Sequence, residues 1–256
     1  MHRYKTDAEQ IGKSSFHFAW VLDEGEEERM RGVTIDVGMK DFETEKMTVT
    51  LLDAPGHRDF ISSMITGVAS ADAAILTIDA GTGAYESGFE FGGSTKEHAI
   101  LARALGVTQI VVAVNKLDKI DWDVERYQMI VENVLHFLES VGYKKSNIWV
   151  LPISGLTGVN LIERVPEDCP LKKWYKGPCL IEIIEQLRTP VKPLNKPVRF
   201  CITDAYKLTT GELIGFCVMG KVVGGLIEKG MKLRLIPGDD HVTVKAIRGG
   251  SMALSG

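Results

Sequence analysis

Four short apolar runs divide the first 160 residues, and each stops at a polar residue. Residues 47–52 lead to Asp53, 73–78 to Asp79, 110–114 to Asn115 and 148–153 to Ser154. Nearly continuous apolar strands are the kind buried on both faces, as in a parallel sheet. Between them, residues 95–105 and 124–141 read as amphipathic helices. In the second of these, Ile130, Val134, Phe137, Leu138 and Val141 share one face at helical spacing. Strand-helix alternation predicts an α/β fold with a mostly parallel sheet and flanking helices. Ligands in such folds bind beyond the carboxyl ends of the strands. Here those ends carry Asp53, Asn115 and Ser154.

The pattern changes near residue 189. Residues 189–197 hold three prolines and read as a semi-rigid linker. Short alternating runs follow at 198–203, 215–223, 231–236 and 242–247, with glycine turns between them. They predict part of an antiparallel β-barrel. The expected organisation is therefore one α/β domain over 1–188, a linker over 189–197 and a partial barrel over 198–256.

Composition narrows the class. The chain has 256 residues, of which 45% are apolar and 25% charged, so it is globular and not a disordered tail. No apolar run approaches the length of a membrane span, and the N-terminus lacks the apolar core of a secretory signal. Cys169, Cys179, Cys201 and Cys217 show no CxxC spacing, which argues against a zinc or redox motif. A soluble, cytoplasmic, monomeric protein is expected. Charge is uneven: residues 1–170 carry 16 basic and 27 acidic side chains, residues 171–256 carry 14 and 7. The basic half suits a nucleic-acid partner, though domain charge can also vary for solubility alone.

Four motifs carry the candidate chemistry. Asp53-Ala54-Pro55-Gly56-His57 follows a strand directly. An Asp there can hold magnesium through water, and a Gly three residues on can offer its N–H to a terminal phosphate. Alone, this is also an ordinary turn. Asn115-Lys116-Leu117-Asp118 follows another strand, and its pattern is more specific. A carboxylate at Asp118 can accept from both N1–H and the exocyclic amine of guanine, a donor pair that adenine lacks. The stem of Lys116 would lie along the base. Ser154-Gly155-Leu156 closes the last strand, where a backbone N–H can reach the guanine O6. Thr34, in the segment 31–36, can ligate magnesium when a γ-phosphate is present.

In order and spacing these motifs resemble the translational GTPases of the elongation factor 1-alpha family. R-G-V-T-I-D at 31–36, D-A-P-G-H-R-D-F at 53–60, N-K-L-D at 115–118 and S-G-L at 154–156 match its switch I, switch II and guanine-recognition motifs. Segments 88–98 and 174–180 look most like the HBS-type ribosome-rescue members, which partner Pelota. The resemblance implies GTP or GDP as ligand and Mg2+ as cofactor. It implies that Thr34 and Asp53 serve the metal and that Gly56 senses the γ-phosphate. His57 would position the hydrolytic water on the ribosome, with Val33 on one side of an apolar gate.

The family opens with a strand and a phosphate-binding G-H-V-D-x-G-K-[ST] loop, and the expectation is that this chain starts downstream of both. Gly12-Lys13-Ser14 imitates that loop, but Asp7 stands where its first Gly belongs and no apolar strand precedes it. The resemblance also implies that the strand lies between those ending at Asp53 and Asp79. Three functional readings follow. The first is a GTPase acting with Pelota on stalled ribosomes in mRNA surveillance, with ribosomal RNA as a contact and neither DNA nor membrane as partner. The second is a nucleotide-incompetent module that binds only the ribosome or a partner. The third is a tRNA-delivering elongation factor or a release-factor GTPase.

Overall fold

The computed structural model describes residues 37–56, 61–89, 93–189, 191, 193–208 and 215–247. The chain divides into two compact units, Met1–Thr189 and Pro190–Gly256.

In the first unit, β4 (Ile110–Asn115) lies between β3 (Ala74–Asp79) and β5 (Ile148–Pro152) in a parallel sheet of order β3-β4-β5. Residues Ile110 to Val114 are each at most 1% exposed. Side chains alternate between the faces of a strand, so complete burial requires cover on both. Ile110, Val112 and Val114 join a core with Ile78, Tyr85, Phe89, Ile130, Val134 and Leu138. Val111 and Ala113 join a second core with Leu151, Ile153 and Ile183. The unbroken apolar run thus has its physical reason in the sheet's two covered faces.

Helix α1 spans Ile61–Ser70, α2 Ala84–Phe89, α3 Ser94–Ala104, α4 Val124–Val141 and α5 Leu180–Ile184. The patterning predicts α3 to within a residue at each end and α4 at both ends. In α4, the Asp123 carboxylate accepts from the N–H groups of Glu125 (2.9 Å) and Arg126 (3.2 Å), and Gly142 ends the helix at φ 99°. Helices α2 and α5 are too short to carry a readable amphipathic repeat, whereas α1 carries one, Ile61, Met64, Ile65 and Val68, that lies outside the predicted elements. Helix α1 has a Gly at its centre and β-branched residues along it. Its helicity is supported by packing, with Met64 and Gly67 buried.

Strand β1 (Gly38–Glu43) pairs antiparallel with β2 (Thr48–Asp53), placing Gly38 opposite Asp53. Among the described residues β2 pairs with β1 alone and β3 with β4 alone, so the first unit holds two separate sheets. Leu51 and Ile75, one on each of those strands, are both more than a third exposed.

The second unit holds β6 (Arg199–Leu208) against β7 (Gly215–Gly224), and β8 (Lys232–Arg234) against β9 (His241–Thr243), both antiparallel. They overlap the four expected strands, but β8 and β9 are three residues each, half the length that the pattern predicts. Two register shifts, at Arg199/Phe200 and Ile202/Asp204, carry β6 past the predicted end at 203. Among the described residues the strands form two pairs and no closed barrel. No helix among the described residues is long and apolar enough to cross a membrane. All four cysteines are free.

Candidate nucleotide site

The carboxyl ends of β4 and β5 carry two loops that one side chain joins. Asn115 closes β4, and its Oδ1 accepts from the Lys116 N–H at 2.7 Å and from the Gly155 N–H at 2.8 Å. The N-K-L-D loop and the S-G-L loop are therefore held as one piece. A Cβ at Gly155 would sit 3.4 Å from Asn115 Nδ2, an ordinary van der Waals contact, so the Asn115 side chain packs directly against the S-G-L loop. Ser154 is fully buried and staples its own loop: its Oγ accepts from the Thr157 N–H (3.2 Å) and its carbonyl from the Gly158 N–H (2.9 Å).

Lys116 takes the left-handed backbone conformation, φ 64°, and opens a 3-10 turn over Leu117–Ile120. Leu117 is fully buried in the first core, which anchors the turn. Asp118 sits on that turn with Oδ1 buried and without a hydrogen-bond partner. A buried carboxylate oxygen without a donor is costly, on the order of 1–3 kcal/mol or more. A guanine base, with N1–H and an exocyclic amine side by side, supplies the donors such an oxygen lacks.

Lys116 Nζ donates to Asp79 Oδ2 at 2.6 Å, and Asp79 Oδ1 accepts from the Gly81 N–H at 2.9 Å. Burial alone would raise the Asp79 carboxyl. The Lys116 and Gly81 hydrogen bonds, with the charges of Lys116 and Lys119, outweigh it and hold the group below its ordinary value. The sequence motifs gave no reason to single out Asp79 beyond its place at a strand end. The parallel register, which sets Asp79 opposite Asn115, brings it to the site.

The second cluster, Asp53-Ala54-Pro55-Gly56, stands at the end of β2, on the other sheet. Pro55 is buried and Gly56 exposed. A Cβ at Gly56 would meet nothing within 4 Å among the described residues, and its φ is not left-handed. Neither packing nor backbone conformation there demands glycine. Thr34 and His57, with Val33 and Gly12-Lys13-Ser14, lie outside the described residues. Of the two expected metal residues only Asp53 is described. It is a hard oxygen donor of the type magnesium takes, and magnesium usually binds through one or two carboxylates, waters and substrate phosphates. No group of three or more His, Cys, Asp or Glu that could hold a metal occurs among the described residues.

Among the described residues two further buried polar atoms lack hydrogen-bond partners. Asn160, at φ 62°, donates Nδ2 to the Pro152 carbonyl (2.8 Å) and leaves Oδ1 unpaired. His98 Nε2 on α3 is likewise unpaired, and burial lowers its pKa against the charge of Glu97. Segment 174–180 packs against the start of α4 and on its own turn. Trp174 Nε1 donates to the Trp122 carbonyl (3.1 Å), its ring tilts against Tyr127 at 5.0 Å, and the Tyr175 hydroxyl donates to the Pro178 carbonyl (2.7 Å).

Residues 2–193 match the family model of the elongation factor Tu GTP binding domain. The protein HBS1 of Drosophila melanogaster is 44% identical over 247 residues, covering 96% of this chain and 36% of that protein. Elongation factor 1-alpha of Aspergillus oryzae is 42% identical over 259 residues, covering 96% of this chain and 55% of that protein. The chain thus spans about half or less of the length of these relatives. Sup35 complexed with GDP superposes with a TM-score of 0.53 at 31% identity, over 92% of this chain and 55% of that one. The GTP-bound GTPase-like domain of S. cerevisiae Ski7 superposes with a TM-score of 0.70 at 21% identity, over 91% and 53%, a likeness of fold alone. By its two strand-end loops and by the match over residues 2–193, the chain belongs to the translational GTPases that share the elongation factor Tu GTP binding domain.

Proposed function

We propose that the chain binds guanine nucleotides and hydrolyses GTP as a translation factor of the ribosome-rescue type. The observation that carries this reading is Asp118, whose Oδ1 is buried without a partner on a turn anchored by Leu117 and braced through Asn115. Asp118 selects guanine by accepting from its two adjacent donors. Asn115 keeps Lys116 and Gly155 in register, and the loop Ser154-Gly155-Leu156 faces the base O6. Gly155 already gives its N–H to Asn115, so a bond to O6 from that group would be shared or would come from a neighbour.

At the phosphate end, Gly56 leaves its backbone open to close approach by a terminal phosphate. Asp53 and Thr34 would hold a magnesium ion, Asp53 through water, and His57 would orient the attacking water. When bound, Mg2+ supplies charge neutralisation at the β- and γ-phosphates. The resemblance at 88–98 and 174–180, with the HBS1 match, favours a partner of the Pelota type on stalled ribosomes. The setting is cytoplasmic.

The test is equilibrium binding of a fluorescent guanine nucleotide with magnesium, with adenine nucleotide as competitor. Saturable binding that guanine but not adenine displaces is expected. Asp118→Ala should weaken it by about tenfold to a hundredfold, the scale of a charged hydrogen bond left unmade. Absence of binding would leave the chain as a ribosome- or partner-binding module. Capture of a Pelota-type protein in preference to aminoacyl-tRNA separates rescue from elongation.

A further inference from the structure

The geometry points to Asp79 as the residue that positions Lys116 for the base of a guanine nucleotide. This rests on the nucleotide reading above and adds a residue that the motifs do not contain.

Lys116 has a backbone in the left-handed region, where a non-glycine residue is held by its surroundings. Three contacts hold it: its N–H on Asn115 Oδ1, its carbonyl accepting from the Lys119 N–H at 3.1 Å, and its Nζ on Asp79 Oδ2 at 2.6 Å. Fixing both ends of the side chain sets the direction of the four-carbon stem between them. A free lysine stem samples many rotamers, and ordering it on ligand binding costs affinity. A stem already ordered removes that cost.

Asp79 is itself placed firmly. It ends β3, opposite Asn115 in the parallel ladder, so both ends of the lysine brace start from neighbouring strands of one sheet. Its second oxygen accepts from the Gly81 N–H at 2.9 Å. The loop beyond is pinned from α4 by Arg126. Its Nε donates to the Ala80 carbonyl (3.1 Å), one terminal nitrogen to the Gly81 carbonyl (3.3 Å) and the other to Glu86 (2.7 Å). The Ala80 N–H in turn donates to the Asn115 carbonyl at 3.0 Å. A carboxylate on a fixed loop thus faces a lysine on a fixed turn. The pair is partly exposed, 45% for the lysine side chain and 32% for the aspartate, so its strength is moderate and its value lies in orientation.

The test uses the full chain and has two readouts. The first is amine-selective acylation of Lys116, mapped by peptide mass spectrometry against Lys119 as internal reference. Asp79→Asn keeps an oxygen for the Gly81 N–H but removes the charge, and should raise Lys116 labelling about twofold or more. Asp79→Glu should restore part of the protection. Unchanged labelling in Asp79→Asn overturns the proposal.

The second readout is affinity for fluorescent GDP. Asp79→Asn is expected to weaken it about twofold to fivefold, the range of a partly exposed charged pair. Lys116→Met should weaken it comparably, and the double variant should lose little more than either alone, because both remove one brace. Additive losses, or a loss from Lys116→Met with none from Asp79→Asn, would overturn the assignment. A purely structural role for Asp79 would lower the unfolding midpoint without this non-additivity in binding. A chain that binds no guanine nucleotide before any substitution overturns the functional reading itself, which is visible ahead of the variants.

Discussion

At the scale of single residues, the site is organised by side chains that bond to backbone more than by the groups facing a ligand. Asn115 accepts two N–H groups from two different loops, and no other residue type of that length offers an uncharged acceptor with the same reach. Asn115→Ala is expected to release both loops. Guanine-nucleotide affinity should fall by about tenfold, with a lower thermal midpoint, as two N–H groups from two loops lose their shared acceptor. Unaltered affinity in that variant would mean that the loops are held by other means. The motif N-K-x-D made Asn115, Lys116 and Asp118 legible in the sequence. Asp79, Arg126 and Asn160 were not legible, because each acts through a partner 8 to 46 positions away. Only the fold decides which distant residues meet.

At the scale of elements, the apolar period predicts those that are long and repeat cleanly. Helix α4 shows why: Ile130, Val134 and Leu138 recur every four residues and are fully buried, and Asp123 caps the start. Leu138→Ala should cost about 2–5 kcal/mol of unfolding free energy, and Asp123→Ala about 0.5–2 kcal/mol, both measured by chemical denaturation. A smaller loss at Leu138 than at Asp123 would contradict the burial. Helix α5 escaped the pattern because five residues make little more than one turn. Its support is local and tertiary, with Glu182 accepting from the Cys179 N–H at 2.9 Å and Ile183 in the second core.

At the scale of the whole molecule, stability is uneven. Strand β4 is buried on both faces, whereas β6 and β7 leave Phe216, Val218, Val222 and Val223 exposed, and two-stranded sheets are marginal by themselves. Amide hydrogen exchange should therefore be slowest in β4 and fastest in β8 and β9. Equal protection across both units would refute that ranking. Acid should weaken the first unit through two carboxylates. The Arg164 guanidinium and then the Cys179 N–H hold Glu182 down from 4.5 to about 2. Arg126 does the same for Glu86, also to about 2. A depressed carboxyl stabilises above its unfolded pKa, and that contribution is lost as pH falls toward the folded one. The thermal midpoint should accordingly drop between about pH 5 and pH 2, and Glu182→Gln should make that drop shallower.

The residue pattern by itself determined the α/β class, the strand ends, the two long helices and the spacing of the N-K-x-D and S-G-L motifs. Each of these is encoded within a few consecutive positions, by period or by spacing. The tertiary structure alone decided the register that sets Gly38 opposite Asp53, that Asp79 meets Lys116, and that Asn115 ties two loops together. Those contacts join positions far apart in the chain. Their energy depends on strand register and on which buried donors and acceptors find one another, and no local window of sequence contains that information.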